Sequence, residues 1–338
     1  MLEGIAGSRL PTYFLSHGGG PWPFMEGPWR ERCRLLEQAL QDIPRQLSLR
    51  PRAVLVVSGH WDEKDLTVSS SPMPGMEYDY AGFPPEMYRI RYPAPGSPAL
   101  ASRVADLLAG AGWRVVSDPL RGFDHGTFSM LKPMYPQADM PIVQLSMKSS
   151  FDPAEHLAVG RALAPLRDEA VLLIGSGFSY HNLRMMGPAA AEPSERFDAW
   201  LRRVLLEAPA AERGPLLEQW ERAPAARLAH PREDHLIPLM VAAGAAGEDP
   251  ATCVYGERFM GHVAASSFRF GADRTPVPFD ELAGFGPDLP DGAAGTTPGL
   301  AVPIPRHSTH AQDAPQRMAG RSSSGAATRQ IGALREAP

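Results

Sequence analysis

"AVLVVSGHW", residues 53 to 61, decides the fold. Its five successive apolar residues leave no polar face, the pattern of a strand buried on both sides of a sheet. Ser58 and Gly59 follow, and the strand delivers His60 to its C-terminal end. "AVLLIGSG", residues 170 to 177, repeats the pattern and also closes on small residues. Between these runs lie helix signals. "SPALASRVADLLAGAG" (97–112) offers Ser97 as N-cap, Pro98 at the first helical position and glycine at the exit. "DPAEHLAVGRALAPLRDE" (152–169) repeats that chemistry with Asp152, Pro153 and Glu155, and Pro165 is expected to bend or shorten the helix.

Further helical patterns cover 31–43, ending at Pro44, and 194–222 and 235–245; "WRVV", "PIVQLSM" and "FRF" read as additional strands. Strands alternating with helices predict an α/β fold, a central, largely buried mixed sheet flanked by helices. With 338 residues, 43% of them hydrophobic, the chain can bury one large core. Residues 286–338 contain no Phe, Trp or Tyr and are rich in Gly, Pro, Ala, Ser and Thr. Such a segment buries too little apolar area to offset its ordering entropy, which predicts one domain over 1–285 and a disordered tail over 286–338.

The net charge of −5 argues against a nucleic-acid or anionic-membrane surface, and no run approaches a membrane span. The opening "MLEGIAGSRLP" lacks a basic patch followed by an apolar stretch. Two distant cysteines, Cys33 and Cys253, support neither a disulfide framework nor a thiolate metal site. The expectation is a cytoplasmic protein acting on a small molecule, with a homo-oligomer left open.

The histidines carry the chemistry. His17 follows "YFLS", His60 follows "VLVVSG" and His181 follows "LLIGSGFSY", so three strand-like runs each end near an imidazole. Ligands of open α/β sheets gather outside the carboxyl ends of the strands, where three such histidines converge on one crevice. His125 lies in "GFDHGTF" and His235 in "HPREDHLIPLM", at the start of an apolar helix. Neutral imidazole is the commonest ligand for zinc and first-row transition metals. The competing reading of each is a buried histidine satisfied by backbone, a turn at Asp124–Gly126, or a helix N-terminal residue at His235. His230 is expected to position the Pro231 turn, and His156 to be solvated; His262 has no motif around it, and His307 and His310 belong to the tail. "GSG" at 175–177 lacks the nucleophile-elbow pattern, and glycines 18–20 lack the Lys-Ser/Thr of a phosphate loop.

Taken in order, "SHGGGPW", "VVSGHW", "GFPPEMYRIRYPAPGSPALA", "GFDHGTF", "MYPQADMPIVQLSM", "IGSGFSYHNL" and "PREDHLIPL" resemble the class III extradiol ring-cleaving dioxygenases of the 4,5-DOPA dioxygenase type over residues 10–270. The resemblance implies a non-haem Fe(II) site, occupied by Zn(II) in some preparations, with His17, His60 and His235 as metal ligands. It implies that His181 ligates the metal or acts as base, and that His125 serves as an acid/base in the substrate pocket. The implied substrates are a small aromatic diol and O2, giving a muconic-semialdehyde-type product. Many iron oxygenases use two histidines and a carboxylate; here His235 takes the third position, beside Glu233 and Asp234, which leaves iron against zinc open.

The stretch "MEYDYAGFPPEMYRIRYPAPG" (76–96) is read as a wall or lid of the pocket, the competing reading being a surface loop packed by its own aromatics; Tyr78, Tyr80, Phe83 and Tyr88 are candidates for stacking on a substrate ring, with Phe83 and Tyr88 taken as the substrate-binding pair. Glycines 18–20 are read as keeping the floor of the site clear. Two other readings of the same histidines stand beside the dioxygenase: a zinc-dependent hydrolase, and a metal-binding partner subunit without turnover.

Overall fold

The apolar run at residues 53–57 lies at the centre of the molecule, and Val54 to Val57 are wholly buried. The computed structural model describes residues 9–271; the expected tail, the boundary at 285, His307 and His310 lie outside the described residues. The strands are β1 (Thr12–Ser16), β2 (Ala53–Glu63), β3 (Leu66–Ser69), β4 (Val115–Asp118), β5 (Ile142–Lys148), β6 (Val171–Gly177), β7 (Ala251–Phe259) and β8 (Val263–Phe270). The helices are α1 (Pro28–Arg32), α2 (Arg34–Asp42), α3 (Pro98–Gly110), α4 (His125–Met134), α5 (Pro153–Leu163), α6 (Ala191–Arg202), α7 (Ala210–Glu218), α8 (Ala226–Ala229) and α9 (Ile237–Ala246).

One sheet joins the strands in the order β4-β3-β5-β2-β6-β1-β8-β7. β5, β2, β6 and β1 run parallel, β8 and β7 continue antiparallel from β1, and β3 meets β5 antiparallel. The sheet is therefore mixed, as the sequence predicts, with its parallel strands where the apolar runs are. The N-caps also stand: Ser97 Oγ accepts from Leu100 N at 3.3 Å, and Asp152 Oδ1 from Glu155 N at 2.9 Å. After Leu163 the chain tightens into a 3₁₀ turn at Ala164–Glu169, as Pro165 requires. Among the described residues, no helix is long and apolar enough to cross a membrane.

Several expectations need correction. β2 does not end at His60 but runs on to Glu63, and its register with β5 jumps from Val57↔Leu145 to Asp62↔Met147. His60 thus sits inside a bulged stretch, a device that re-aims a side chain beside a site. The helical pattern at 194–222 is broken: α6 passes into a π-helical turn at Arg203–Glu207, and Pro209, which has no N–H to donate, precedes α7. α4 forms where the sequence pattern suggests a turn: Asp124 caps it by accepting from Thr127 N at 3.0 Å, so His125 opens a helix. β3, of four residues, and β7, interrupted by Gly256 and Glu257, carry too short or too mixed a pattern to be read. His156 is buried, not solvated: its Nδ1 lies 2.7 Å from Asp152 O, and its Nε2 accepts from Lys148 N at 3.1 Å.

Backbone contact sets the floor of the crevice. α9 is buried on every side and lies against β6 and β1. A Cβ on Gly177 would stand 2.1 Å from His235 O, so only glycine at the end of β6 admits the segment leading into α9. That carbonyl accepts from Phe178 N at 3.1 Å. Gly177→Ala is expected to destabilise the protein by about 1–3 kcal/mol, the cost of overpacking. Gly110→Ala, at a position where a Cβ meets nothing within 4 Å, is expected to change stability by less than about 1 kcal/mol. Thermal or urea unfolding of the two variants checks the contrast.

Candidate metal centre

The register puts three strand ends side by side. Ser58 and Leu15 flank Ser176, and Ser16 pairs with Gly177, so β2 and β1 deliver their following residues on either side of β6. His17 N donates to Gly177 O at 3.2 Å, extending the ladder one step. His60 arrives from the bulge of β2, and His235 from the segment seated on Gly177. One ring nitrogen from each of His17, His60 and His235 lies within 4.8 Å of the others. The Nε2 atoms of His60 and His235 are 3.0 Å apart.

This cluster fits a metal ion. Among the described residues, both nitrogens of His17 are buried without a hydrogen-bond partner, as is His235 Nδ1, which lies 3.2 Å from Asp234 Oδ1 outside hydrogen-bonding geometry. Leaving a buried polar group unpaired costs about 1–3 kcal/mol, and native interiors avoid it. Burial first, and the neighbouring imidazoles next, hold His17 well below the usual histidine range; burial does the same for His60 and His235. Neutral imidazoles are the form that ligates a metal.

His125 stands at the edge of the cluster, its ring centroid 3.9 Å from that of His60 and 5.2 Å from that of His17. Its partner is Asp79, which sequence reasoning missed. Asp79 Oδ1 accepts from His125 N at 3.0 Å, and Oδ2 lies 2.9 Å from His125 Nδ1 and 3.2 Å from His60 Nδ1. Burial opposes charge on His125, but Asp79 outweighs it and raises the pKa. Burial likewise pushes the Asp79 carboxyl up, yet His125 and His60 outweigh it and hold it well below the ordinary carboxylate range. The signal was present in "EYDY", where an acid stands between two tyrosines in the stretch read as a wall of the pocket.

His181 is brought to the site differently. Its ring stacks on His235, with centroids 3.4 Å apart and planes 15° apart, and its Nδ1 lies 3.8 Å from Asp234 Oδ1. It groups with Asp234 and His235 rather than with His17 and His60. Burial lowers its pKa to about 4. His230 is buried in the adjoining core with Nε2 3.0 Å from Ser179 O, and so braces the 178–181 loop in addition to preceding Pro231.

Tyr80 is the aromatic of the 76–96 stretch that reaches His125, at 5.9 Å between centroids. Phe83 and Tyr88 pack on Tyr80 at 5.4 and 5.3 Å. The glycines after His17 do not clear an open floor. A Cβ on Gly18 would stand 2.5 Å from Trp22 Nε1, and one on Gly20 the same distance from Phe83 Cζ. Trp22 Nε1 donates to His17 O at 2.7 Å, so the glycine turn admits aromatics that hold His17 from behind.

Comparison with known proteins agrees with this geometry. Residues 11–271 match the family described as the catalytic LigB subunit of aromatic ring-opening dioxygenase. The chain is 39% identical over 269 residues to the dioxygenase tasH of Hapsidospora irregularis, covering 74% of this chain and 82% of that one. It is 38% identical over 265 residues to a 4,5-DOPA dioxygenase extradiol of Beta vulgaris, covering 77% and 96%, and 35% identical over 272 residues to one of Escherichia coli K12, covering 79% and 97%. The crystal structure of an uncharacterized protein from Escherichia coli K12 superposes with a TM-score of 0.63 at 33% identity, covering 78% of this chain and all of that one. The chain belongs to the LigB family of aromatic ring-opening dioxygenases, and its enzyme class is that of an extradiol dioxygenase. The hydrolase and turnover-free readings are thereby set aside.

The unpartnered His17 ring yields a test on the metal-free protein. His17→Leu is expected to abolish high-affinity zinc binding while leaving the metal-free fold as stable as the parent, or more stable by about 1 kcal/mol, because an unsatisfied buried imidazole is removed. Zinc titration and thermal unfolding in chelator measure both.

Proposed function

We propose that this protein is an Fe(II)-dependent extradiol dioxygenase that opens a catechol-type ring, DOPA-like or a related dihydroxylated compound, to a muconic-semialdehyde-type product. The observation that carries this reading is the convergence of three neutral imidazoles, one of them with both nitrogens unpaired, beside the Asp79–His125 pair. The names of the 4,5-DOPA dioxygenase relatives support the substrate class.

His17, His60 and His235 would hold the metal, which supplies the Lewis-acid and redox chemistry that lets an electron-rich ring react with dioxygen. His125 Nε2 makes no hydrogen bond among the described residues and is the acceptor for the proton a ring hydroxyl releases on binding. Asp79 holds the imidazole behind it, in the manner of an orienting carboxylate. His181, stacked flat on His235, takes the place of a neutral second base or additional ligand at the same face. Tyr80 closes the wall beside His125, and Phe83 and Tyr88, packed behind it, shape the space for the substrate ring. Zn(II) suits the all-imidazole donor set but not the oxygen chemistry, which favours iron as the working metal. Both cysteines are thiols, which suits a cytoplasmic setting.

Oxygen uptake by anaerobically iron-loaded protein against a catechol panel tests the proposal. The expected result is uptake matched to a yellow ring-opened product; one bound Fe(II) per chain without uptake on any member of the panel would overturn it. His125→Gln is expected to lower kcat by about 100-fold or more, with iron content unchanged. Phe83→Ala is expected to raise KM for the best catechol by about three- to tenfold, and an unchanged KM would remove Phe83 from the pocket wall.

A further inference from the structure

The 76–96 stretch reaches the site through backbone registration as well as through its aromatic side chains. Phe123 N donates to Gly75 O at 2.9 Å, and Glu77 N to Phe123 O at 2.8 Å, a short parallel ladder ahead of α4. The next step is His125 N donating to Asp79 Oδ1 at 3.0 Å, where a side chain replaces the carbonyl. The hydroxyls of Tyr78 and Tyr80 donate to Ile90 O and Met87 O at 2.9 and 2.5 Å, closing the stretch on itself. Asp79 is therefore held from both sides, with Oδ2 aimed at two imidazoles.

A carboxylate oxygen repels a nitrogen lone pair, so each imidazole facing Oδ2 carries its proton on Nδ1. His125 Nδ1 meets Oδ2 in hydrogen-bonding geometry at 2.9 Å; His60 Nδ1 lies 3.2 Å from the same oxygen, off the hydrogen-bonding direction but near enough for a lone pair there to be repelled. The Nε2 lone pair of each ring is then directed elsewhere, for His60 toward the cluster with His235 Nε2 at 3.0 Å. Metal-ligating histidines commonly take their tautomer from a carboxylate in this way, but here the same oxygen serves a ligand and an acid/base residue together.

We infer that Asp79 is the positioning residue of this site, a single carboxylate that sets the tautomer of both His60 and His125 and so couples the placement of the 76–96 stretch to metal retention and to proton transfer. The inference rests on the metal-centre reading above. It predicts an unusual behaviour for the isosteric variant Asp79→Asn. The asparagine oxygen still accepts from His125 N, which turns its NH2 toward the two Nδ1 atoms. Both rings are then driven to the Nε2–H tautomer, which takes their lone pairs out of the site.

The test uses full-length protein labelled with 15N at histidine, zinc-loaded as a diamagnetic form, and long-range 1H–15N spectra at about pH 8, above the ordinary histidine range. The parent is expected to show Nδ1–H for His60 and His125, and Asp79→Asn to show Nε2–H for at least His125. Zinc affinity is expected to fall about 10- to 100-fold, as for other residues that orient metal ligands. In iron-saturated protein, kcat is expected to fall by about 30-fold or more with KM changed less than about threefold, because the loss is in the chemical step. Unchanged tautomers, or zinc affinity and kcat within about twofold of the parent, would overturn the inference. Asp79→Ala, which removes the acceptor without inserting a donor, is expected to weaken zinc binding and kcat without imposing Nε2–H, and it serves if the asparagine variant does not accumulate. The tautomer and zinc measurements decide the role of Asp79 even if the parent consumes no oxygen. Oxygen consumption by the parent with unaltered Asp79→Asn would reject Asp79 and leave the dioxygenase reading standing.

Discussion

The carbonyl of His235 rests on the end of β6, where Gly177 has no side chain and Phe178 N supplies a hydrogen bond. That contact seats α9 on the sheet and brings His235 within 3.0 Å of His60, which approaches from the neighbouring strand. Any side chain at Gly177 would hold the two elements apart. The buried helix and the histidine cluster therefore depend on one close approach of backbone to backbone.

The site accepts local costs that the surrounding core offsets. Three uncharged imidazoles stand together, His17 and His235 buried and His60 partly so, and among the described residues His17 has no hydrogen-bond partner for either nitrogen. A fold selected for stability alone would place an apolar side chain there. The buried Asp124 beside the site is paired on both oxygens: it accepts from Ser58 Oγ and Thr127 N on one and from Arg121 on the other, and Ser176 Oγ donates to Gly126 O. Single unpaired buried atoms occur elsewhere among the described residues, as at His230 Nδ1 and Ser266 Oγ, but His17 has both ring nitrogens unpaired beside two further imidazoles, which marks the crevice as the place where a ligand completes the structure.

The 76–96 stretch brings a group of aromatics and one carboxylate to the edge of the histidine cluster. Tyr80 and Asp79 both reach His125, the one with its ring and the other with its carboxylate, while Tyr78 and Tyr88 pack against Tyr80. A sequence reader weighing "MEYDYAGF" sees aromatic bulk and a surface loop. The acid is legible only once it is known what lies on the other side of the strand-like segment, because Asp79 and His125 are separated by 46 positions in the chain.

The sequence by itself determined the mixed α/β sheet, the capped helices at Ser97 and Asp152, and the histidines that end the buried runs, because apolar periodicity and capping are local properties of the chain. It could not reveal that β2 bulges through His60, that α4 begins at His125, or that His156 is buried, since each depends on neighbours brought from elsewhere. Tertiary structure alone decided which imidazole nitrogens face one another and which carboxylate stands behind them. Those are properties of a few ångströms across a crevice, and residue spacing along a chain does not carry distances across it.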